Sequence, residues 1–168
     1  MASTVSRRAL FDRLRGGPAP VRPPWAHAEE EFTERCIRCD ACIEACPEHI
    51  LTPGRGGYPV VDFKHGGCTF CGACRNACPE DCFEREADRR PWSLQASISD
   101  RCVEGKGIAC RMCEGACESS ALQFRPRVGG GSAVGIRGGV CTGCGSCIAR
   151  CPLGAIEIQP ATRKETGR

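Results

Sequence analysis

Residues 36–47 read Cys36-Ile37-Arg38-Cys39-Asp40-Ala41-Cys42-Ile43-Glu44-Ala45-Cys46-Pro47, a Cys-x2-Cys-x2-Cys-x3-Cys-Pro run. The run returns at Cys68, Cys71, Cys74, Cys78 and Pro79, and again at Cys141, Cys144, Cys147, Cys151 and Pro152. Between these two lies a widened copy, Cys102-x7-Cys110-x2-Cys113-x3-Cys117, with Glu118 in the place of proline. Self-similarity of this kind marks one small structural unit used repeatedly. The four copies take up 16 of the 17 cysteines.

The segments between the copies repeat as well. Four to five residues after each fourth cysteine comes an apolar step: Ile50-Leu51, Cys82-Phe83, Ala121-Leu122 and Ala155-Ile156. Each reads as a short strand leaving a one-turn helix, with alternation in Ala155-Ile156-Glu157-Ile158 in support. The turn signal Pro53-Gly54-Arg55-Gly56-Gly57 before Tyr58-Pro59-Val60-Val61-Asp62-Phe63 predicts a hairpin. Comparable pairs join Cys82-Phe83 to Trp92-Ser93-Leu94, and Leu122-Gln123-Phe124 to Ala133-Val134-Gly135-Ile136. The latter crosses Gly129-Gly130-Gly131, which reads as a mobile loop.

Composition agrees with small, stapled units. Seventeen cysteines in 168 residues stand beside only nine aromatics, so an ordinary apolar core is hard to build and something else must hold the chain together. Glycine and proline fill 33 positions, which favours tight turns over long helices. No stretch approaches the roughly 18–20 apolar residues that span a bilayer. Ser6-Arg7-Arg8 resembles the start of a twin-arginine signal, but Asp12-Arg13-Leu14-Arg15-Gly16-Gly17-Pro18 interrupts the apolar segment of about 7–15 residues that export requires. A cytoplasmic chain is expected, with reduced thiols that favour metal over disulfides.

Three thiolates in a tight loop suit three iron corners of one cubane, while the fourth, placed on the following helix, suits a neighbouring cluster. That is the logic of the bacterial two-cluster ferredoxin run. A proline after the fourth cysteine starts the helix or turns the chain away. Gly72, Gly143 and Gly145 let backbone N–H groups approach cluster sulfur. Zinc is the competing metal, yet it asks for paired Cys-x2-Cys knuckles around a longer loop, and leaves the third cysteine of each run without use. The reading is therefore four [4Fe-4S] clusters on Cys36, Cys39, Cys42, Cys46, Cys68, Cys71, Cys74, Cys78, Cys102, Cys110, Cys113, Cys117, Cys141, Cys144, Cys147 and Cys151. Two partitions stay open. Adjacent pairing puts Cys36, Cys39 and Cys42 with Cys78, Cys68, Cys71 and Cys74 with Cys46, Cys102, Cys110 and Cys113 with Cys151, and Cys141, Cys144 and Cys147 with Cys117. The other nests motifs two and three inside one and four.

The expected fold is α+β, two tandem bacterial-type two-[4Fe-4S] ferredoxin-like modules at 31–90 and 91–160, between a basic arm at 1–30 and a polar tail at 161–168. The arm holds Arg7, Arg8, Arg13, Arg15 and Arg22 against Asp12 within its first 24 residues. Residues 4–15 fit a helix with Val5, Ala9, Leu10 and Leu14 on one face, or a solvated tail. The formal charge of +3 counts neutral thiols; four oxidised clusters at about −2 each would bring it to about −5, which removes the basis for a nucleic-acid reading. Cys82 takes the position of Ile50, Ala121 and Ala155, so it reads as a small buried side chain rather than a redox sensor. His27, His49 and His65 fall outside the ligand pattern, and Trp25 and Trp92 read as packing residues.

Together these residues resemble the NapF family of ferredoxin-type accessory proteins of the periplasmic nitrate reductase system. The resemblance runs through Ser6-Arg7-Arg8, Val21-Arg22-Pro23-Pro24-Trp25, the first cysteine motif, Gly56-Gly57-Tyr58-Pro59, Asp62-Phe63-Lys64 and the widened third motif, which supports Cys102 as a ligand. Cys82 and the length of the Gly-rich loop depart from the family. What the resemblance implies is a cytoplasmic iron-sulfur protein that binds the catalytic molybdenum subunit, NapA, before export and assists its cluster loading. A ferredoxin-like electron carrier is the alternative. The chain shows no nucleophile-base arrangement and no phosphate loop, and it reads as no enzyme.

Overall fold

The computed structural model describes residues 19–85 and 90–161. The predicted arm helix at residues 4–15 and most of the polar tail lie outside the described residues.

The elements are short, as the glycine and proline content requires. Helix α1, Glu29–Arg35, opens on Glu29, Glu30 and Glu31 and closes on Arg35, the charge order that favours a helix dipole. Its buried residue is Phe32, which meets the Phe83 ring edge-on at 5.9 Å. Helices α2 (Ala41–Glu44), α3 (Ala73–Ala77) and α4 (Ser146–Ala149) each begin just after a residue in the left-handed region: Asp40 (φ 61°), Gly72 (φ 75°) and Gly145 (φ 81°). Each of these helices carries and buries the third cysteine of its motif: Cys42, Cys74 and Cys147.

This corrects the expectation that the fourth cysteine lies on a helix. Cys46, Cys78 and Cys151 all fall past the helix ends. The reason is the following proline, whose ring disfavours helical backbone in the residue before it. Cys78 accordingly sits at φ −72°, ψ 122°. The proline stops the helix rather than starting it. In the third motif, residues 112–116 form turns and no helix.

Three two-stranded antiparallel sheets complete the fold. β1 (Leu51–Pro53) pairs with β2 (Pro59–Val61), Leu51 opposite Val61. β4 (Leu122–Pro126) pairs with β5 (Ser132–Ile136), Leu122 opposite Ile136. Both hairpins follow the predicted segments. The pairing of Cys82-Phe83 with Trp92-Ser93-Leu94 does not form. Phe83 instead bridges Ala26, and Leu94 belongs to β3 (Leu94–Ile98), which pairs with β6 (Ile156–Pro160). Each half of the chain thus has an inner hairpin and an outer pairing that joins its two ends.

The apolar core is divided in the same way. Phe32, Cys42, Leu51, Cys74, Cys82 and Phe83 form one buried cluster, and Ala96, Leu122, Cys147 and Ile156 the other. Residues 21–30, assigned above to the arm, pack on the first half. The Val61 N–H donates to Val21 O at 2.8 Å, Arg22 pairs with Glu29 and lies over the Phe32 and Tyr58 rings, and Trp25 meets Phe70 edge-on. Residues 21–30 therefore belong with the first half. The Gly-rich turn is also anchored: Arg127 N–H donates to Gly131 O, and Gly131 lies against Gly107 and the Glu104 carbonyl. The base of the turn packs against the lengthened third motif at Gly131, while Val128, Gly129 and Gly130 stand open.

The halves meet through aromatic rings and ligand-loop backbone. Trp92 lies edge-on to Phe63 (6.0 Å) and Phe70 (5.5 Å) and donates its Nε1–H to Thr142 O at 2.9 Å. The packing role expected of Trp92 is fulfilled at the junction. No helix among the described residues is long and apolar enough to cross a membrane.

Candidate metal centre

Sixteen thiols fall into four neighbourhoods. Burial pushes the Cys42 thiol up to about 12, and Cys74, Cys36 and Cys78 press it further in the same direction. Cys36, Cys39, Cys42 and Cys78 line one recess, together with Cys82. Around Cys68, also pushed to about 12 chiefly by burial, stand Cys74, Cys71 and Cys46, opposed by the Phe70 N–H. Cys113 is raised to about 11 by burial with Cys151, Cys102 and Cys110 near it. Cys147 is raised to about 12 by burial and then by Cys144, Cys141, Cys117 and Cys113. Cys117, Cys141, Cys144 and Cys147 line a second recess.

Each neighbourhood takes three cysteines from one motif and the fourth cysteine of the adjacent motif. Motif one exchanges with two, and three with four; no neighbourhood mixes one with four. Cys42 and Cys74 are themselves neighbours, as are Cys113 and Cys147.

The donor set suits a cluster of several iron atoms. Among the described residues no three His, Cys, Asp or Glu side chains converge as ligands of a single ion; a cubane, whose iron corners are separated, asks for thiols ranged around it. Backbone N–H groups already point at sulfur: Phe70 at Cys68 (3.4 Å), Ala96 at Cys141 (3.5 Å), Ala121 at Cys117 (3.2 Å) and Ala155 at Cys151 (3.2 Å). For Cys117 burial raises the pKa, but N–H donors from Leu122, Ala121 and Ser120 and the Ser119 hydroxyl outweigh it and leave the thiol below its usual value. Such donors hold thiolate without a cation nearby, and tune a bound cluster. The thiols that burial raises, Cys42, Cys68, Cys74, Cys113 and Cys147, are protonated in the metal-free chain, so loading a cluster would expel protons.

Two residues outside the ligand pattern shape the centres. Cys82 is 1% exposed and its side chain hydrogen-bonds with those of Cys78 and Cys36. The small, buried character was visible in the repeat alignment; the contact with two motif cysteines was not. Glu104, in the seven-residue insertion, is 4% exposed, and its carboxylate accepts the Cys110 N–H at 2.5 Å and a hydrogen bond from Ser132. These donors hold its pKa below the usual carboxylate value. It ties the insertion to β5 and sets the direction of Cys110. A lone glutamate in a glycine-rich insert gives no sequence signal for this.

The histidines stand apart from the thiols' chemistry. His49 and His65 are exposed, while His27 faces Glu31 at 3.8 Å with a buried Nε2 that has no partner.

Comparison with known proteins bears on what the thiols hold. Residues 35–82 and 106–165 match the 4Fe-4S dicluster domain. The ferredoxin-type protein NapF of Escherichia coli K12 is 43% identical over 160 residues, covering 95% of this chain and 97% of that protein. NapF of Haemophilus influenzae is 37% identical over 86% of this chain and 82% of its own length. The methylamine utilization ferredoxin-type protein MauM of Methylobacillus flagellatus is 30% identical over 90% of this chain and 74% of its own. Two dicluster matches, four thiol neighbourhoods and near end-to-end similarity agree: the chain belongs to the NapF family of ferredoxin-type iron-sulfur proteins.

Proposed function

We propose that the chain carries four [4Fe-4S] clusters, one in each thiol neighbourhood, in two tandem bacterial-type two-cluster modules at 31–90 and 91–160. The first centre takes Cys36, Cys39, Cys42 and Cys78, and the second Cys68, Cys71, Cys74 and Cys46. The third takes Cys102, Cys110, Cys113 and Cys151, and the fourth Cys141, Cys144, Cys147 and Cys117. The observation that carries this is the three-plus-one grouping of sixteen thiols, repeated four times. The clusters also explain how so small an apolar core suffices, since metal-binding free energy becomes folding free energy.

In this reading the chain is a cytoplasmic accessory protein of the periplasmic nitrate reductase system. It binds the catalytic molybdenum subunit, NapA, before export and loads or helps assemble that subunit's own cluster. Its similarity to NapF proteins supports this role, and no catalytic step of its own is required. The test is anaerobic. The chain is loaded with labelled iron, mixed with cluster-free catalytic subunit and separated from it. Label moving with gain of the partner's cluster signal is the expected result; label that stays while the proteins bind refutes donation. Removing residues 1–15 should weaken capture if the basic arm docks, and unchanged capture would refute that part.

Electron carriage is the second reading, favoured by the close approach of Cys42 to Cys74 and of Cys113 to Cys147. Label that stays, with electrons passing to the partner, is its signature.

A further inference from the structure

We infer that the four centres stand in the spatial order first, second, fourth, third, and that electrons cross between the modules where Cys68 meets Cys144. The inference rests on the cluster reading above and adds a route to it. The N–H of Cys68 donates to the carbonyl of Cys144 at 2.7 Å. Cys68 belongs to the second centre and Cys144 to the fourth, so their ligand loops touch backbone to backbone with no side chain between them. Chain order alone would put the second motif beside the third.

The contact is built by clearance. A Cβ on Gly67 would lie 2.0 Å from Ser146 Oγ and 2.7 Å from Ser146 N. Gly67 is not in the left-handed region, so glycine serves there only to let the loops approach. On the opposite side a Cβ on Gly143 would stand 2.7 Å from Leu94 O and 2.9 Å from Trp92 Nε1. Phe63, Phe70 and Trp92 flank the junction, and Trp92 is pinned to Thr142. Within each module the neighbouring thiols Cys42 and Cys74, and Cys113 and Cys147, continue the row. In the crossing step one electron leaves a reduced second centre and reduces an oxidised fourth; no bond forms or breaks.

The test uses the full holoprotein, reduced with dithionite, and dipolar pulsed EPR among the cluster spins. The order predicts three nearest-neighbour couplings in one row. Two isolated pairs would overturn it, on the wild-type chain alone. Gly67→Ala should keep its full iron content and weaken one of the three couplings, as the loops are forced apart by about an ångström. Gly105→Ala, whose Cβ meets nothing within 4 Å, should keep all three. Gly67→Ala with all three couplings at wild-type strength and full iron content would also overturn the route. Wild-type iron short of four clusters is a separate failure, that of the cluster reading itself.

Discussion

Gly72 and Gly145 occupy the same place in their motifs, directly after the second cysteine, and both are left-handed. Replacing either with alanine costs roughly 1–2 kcal/mol for that backbone. Their surroundings differ. A Cβ on Gly72 meets only the flexible end of Arg75, at 3.8 Å, whereas one on Gly145 would lie 2.1–2.4 Å from the Phe63 ring. Overpacking of this kind adds about 1–3 kcal/mol. Gly145→Ala is therefore expected to cost about 2–5 kcal/mol, and Gly72→Ala no more than the backbone term. If the strain is released when a loop opens, anaerobic bleaching of the cluster absorbance in guanidinium reads the difference as a rate. Gly145→Ala should bleach roughly 5- to 150-fold faster than Gly72→Ala, at 1.36 kcal/mol per decade. Equal rates, or the reverse order, would refute the assignment of Phe63 to the back of the fourth centre's loop.

Cys82→Ala should retain all four clusters and lower one midpoint potential by roughly 20–60 mV, the scale of one net hydrogen bond to sulfur; a missing cluster would instead make Cys82 a ligand. Glu104 has a depressed folded pKa, so its contribution is present above the unfolded value of about 4.3 and lost as pH falls through the lower folded one. Iron retention measured from pH 6 to 3 should therefore show an acid-dependent loss that Glu104→Gln flattens, its retention being lower at pH 6; identical profiles would remove Glu104 from the third centre. Because Cys42, Cys68 and Cys147 are pushed up to about 12, cluster reconstitution of the metal-free chain should release protons and become tighter from pH 6.5 to 8.5, read by calorimetry in buffers of different ionisation enthalpy. Proton release near zero would contradict that.

Local spacing made much of this legible. The cysteine runs marked the thiols that gather into four neighbourhoods, and turn chemistry gave the β1–β2 and β4–β5 hairpins, since each is closed by a few residues. The outer pairings were not legible: Ala26 with Phe83 and β3 with β6 join segments about sixty residues apart, and no short-range pattern encodes such partners. Phe83 looked like half of a hairpin with Leu94 because proximity in sequence was the available guide. The place of the third cysteines on the helices follows from Pro47, Pro79 and Pro152 excluding the fourth, a rule that could have been applied to the sequence. The Cys68–Cys144 contact and the anchoring of the insertion by Glu104 depend on tertiary approach alone.

Donation and conduction make opposite demands on a cluster, one that its thiols let go and the other that they hold. The centres are unequal in this respect. Cys42, Cys74 and Cys147 are 7–9% exposed, each buried on a short helix, whereas Cys113, their counterpart in the third motif, is only half-buried on a turn. Ile108 and Met112, beside Cys110 and Cys113, are about 60% exposed. The third motif thus holds its third cysteine less deeply than the other motifs do, and in the proposed order first, second, fourth, third its centre stands at the end of the row. Its loss would leave the first, second and fourth centres in contact through Cys42–Cys74 and Cys68–Cys144. If the chain carries the four proposed clusters, surrender of the third would leave an unbroken route through the other three, so the two proposed readings of its function draw on different residues.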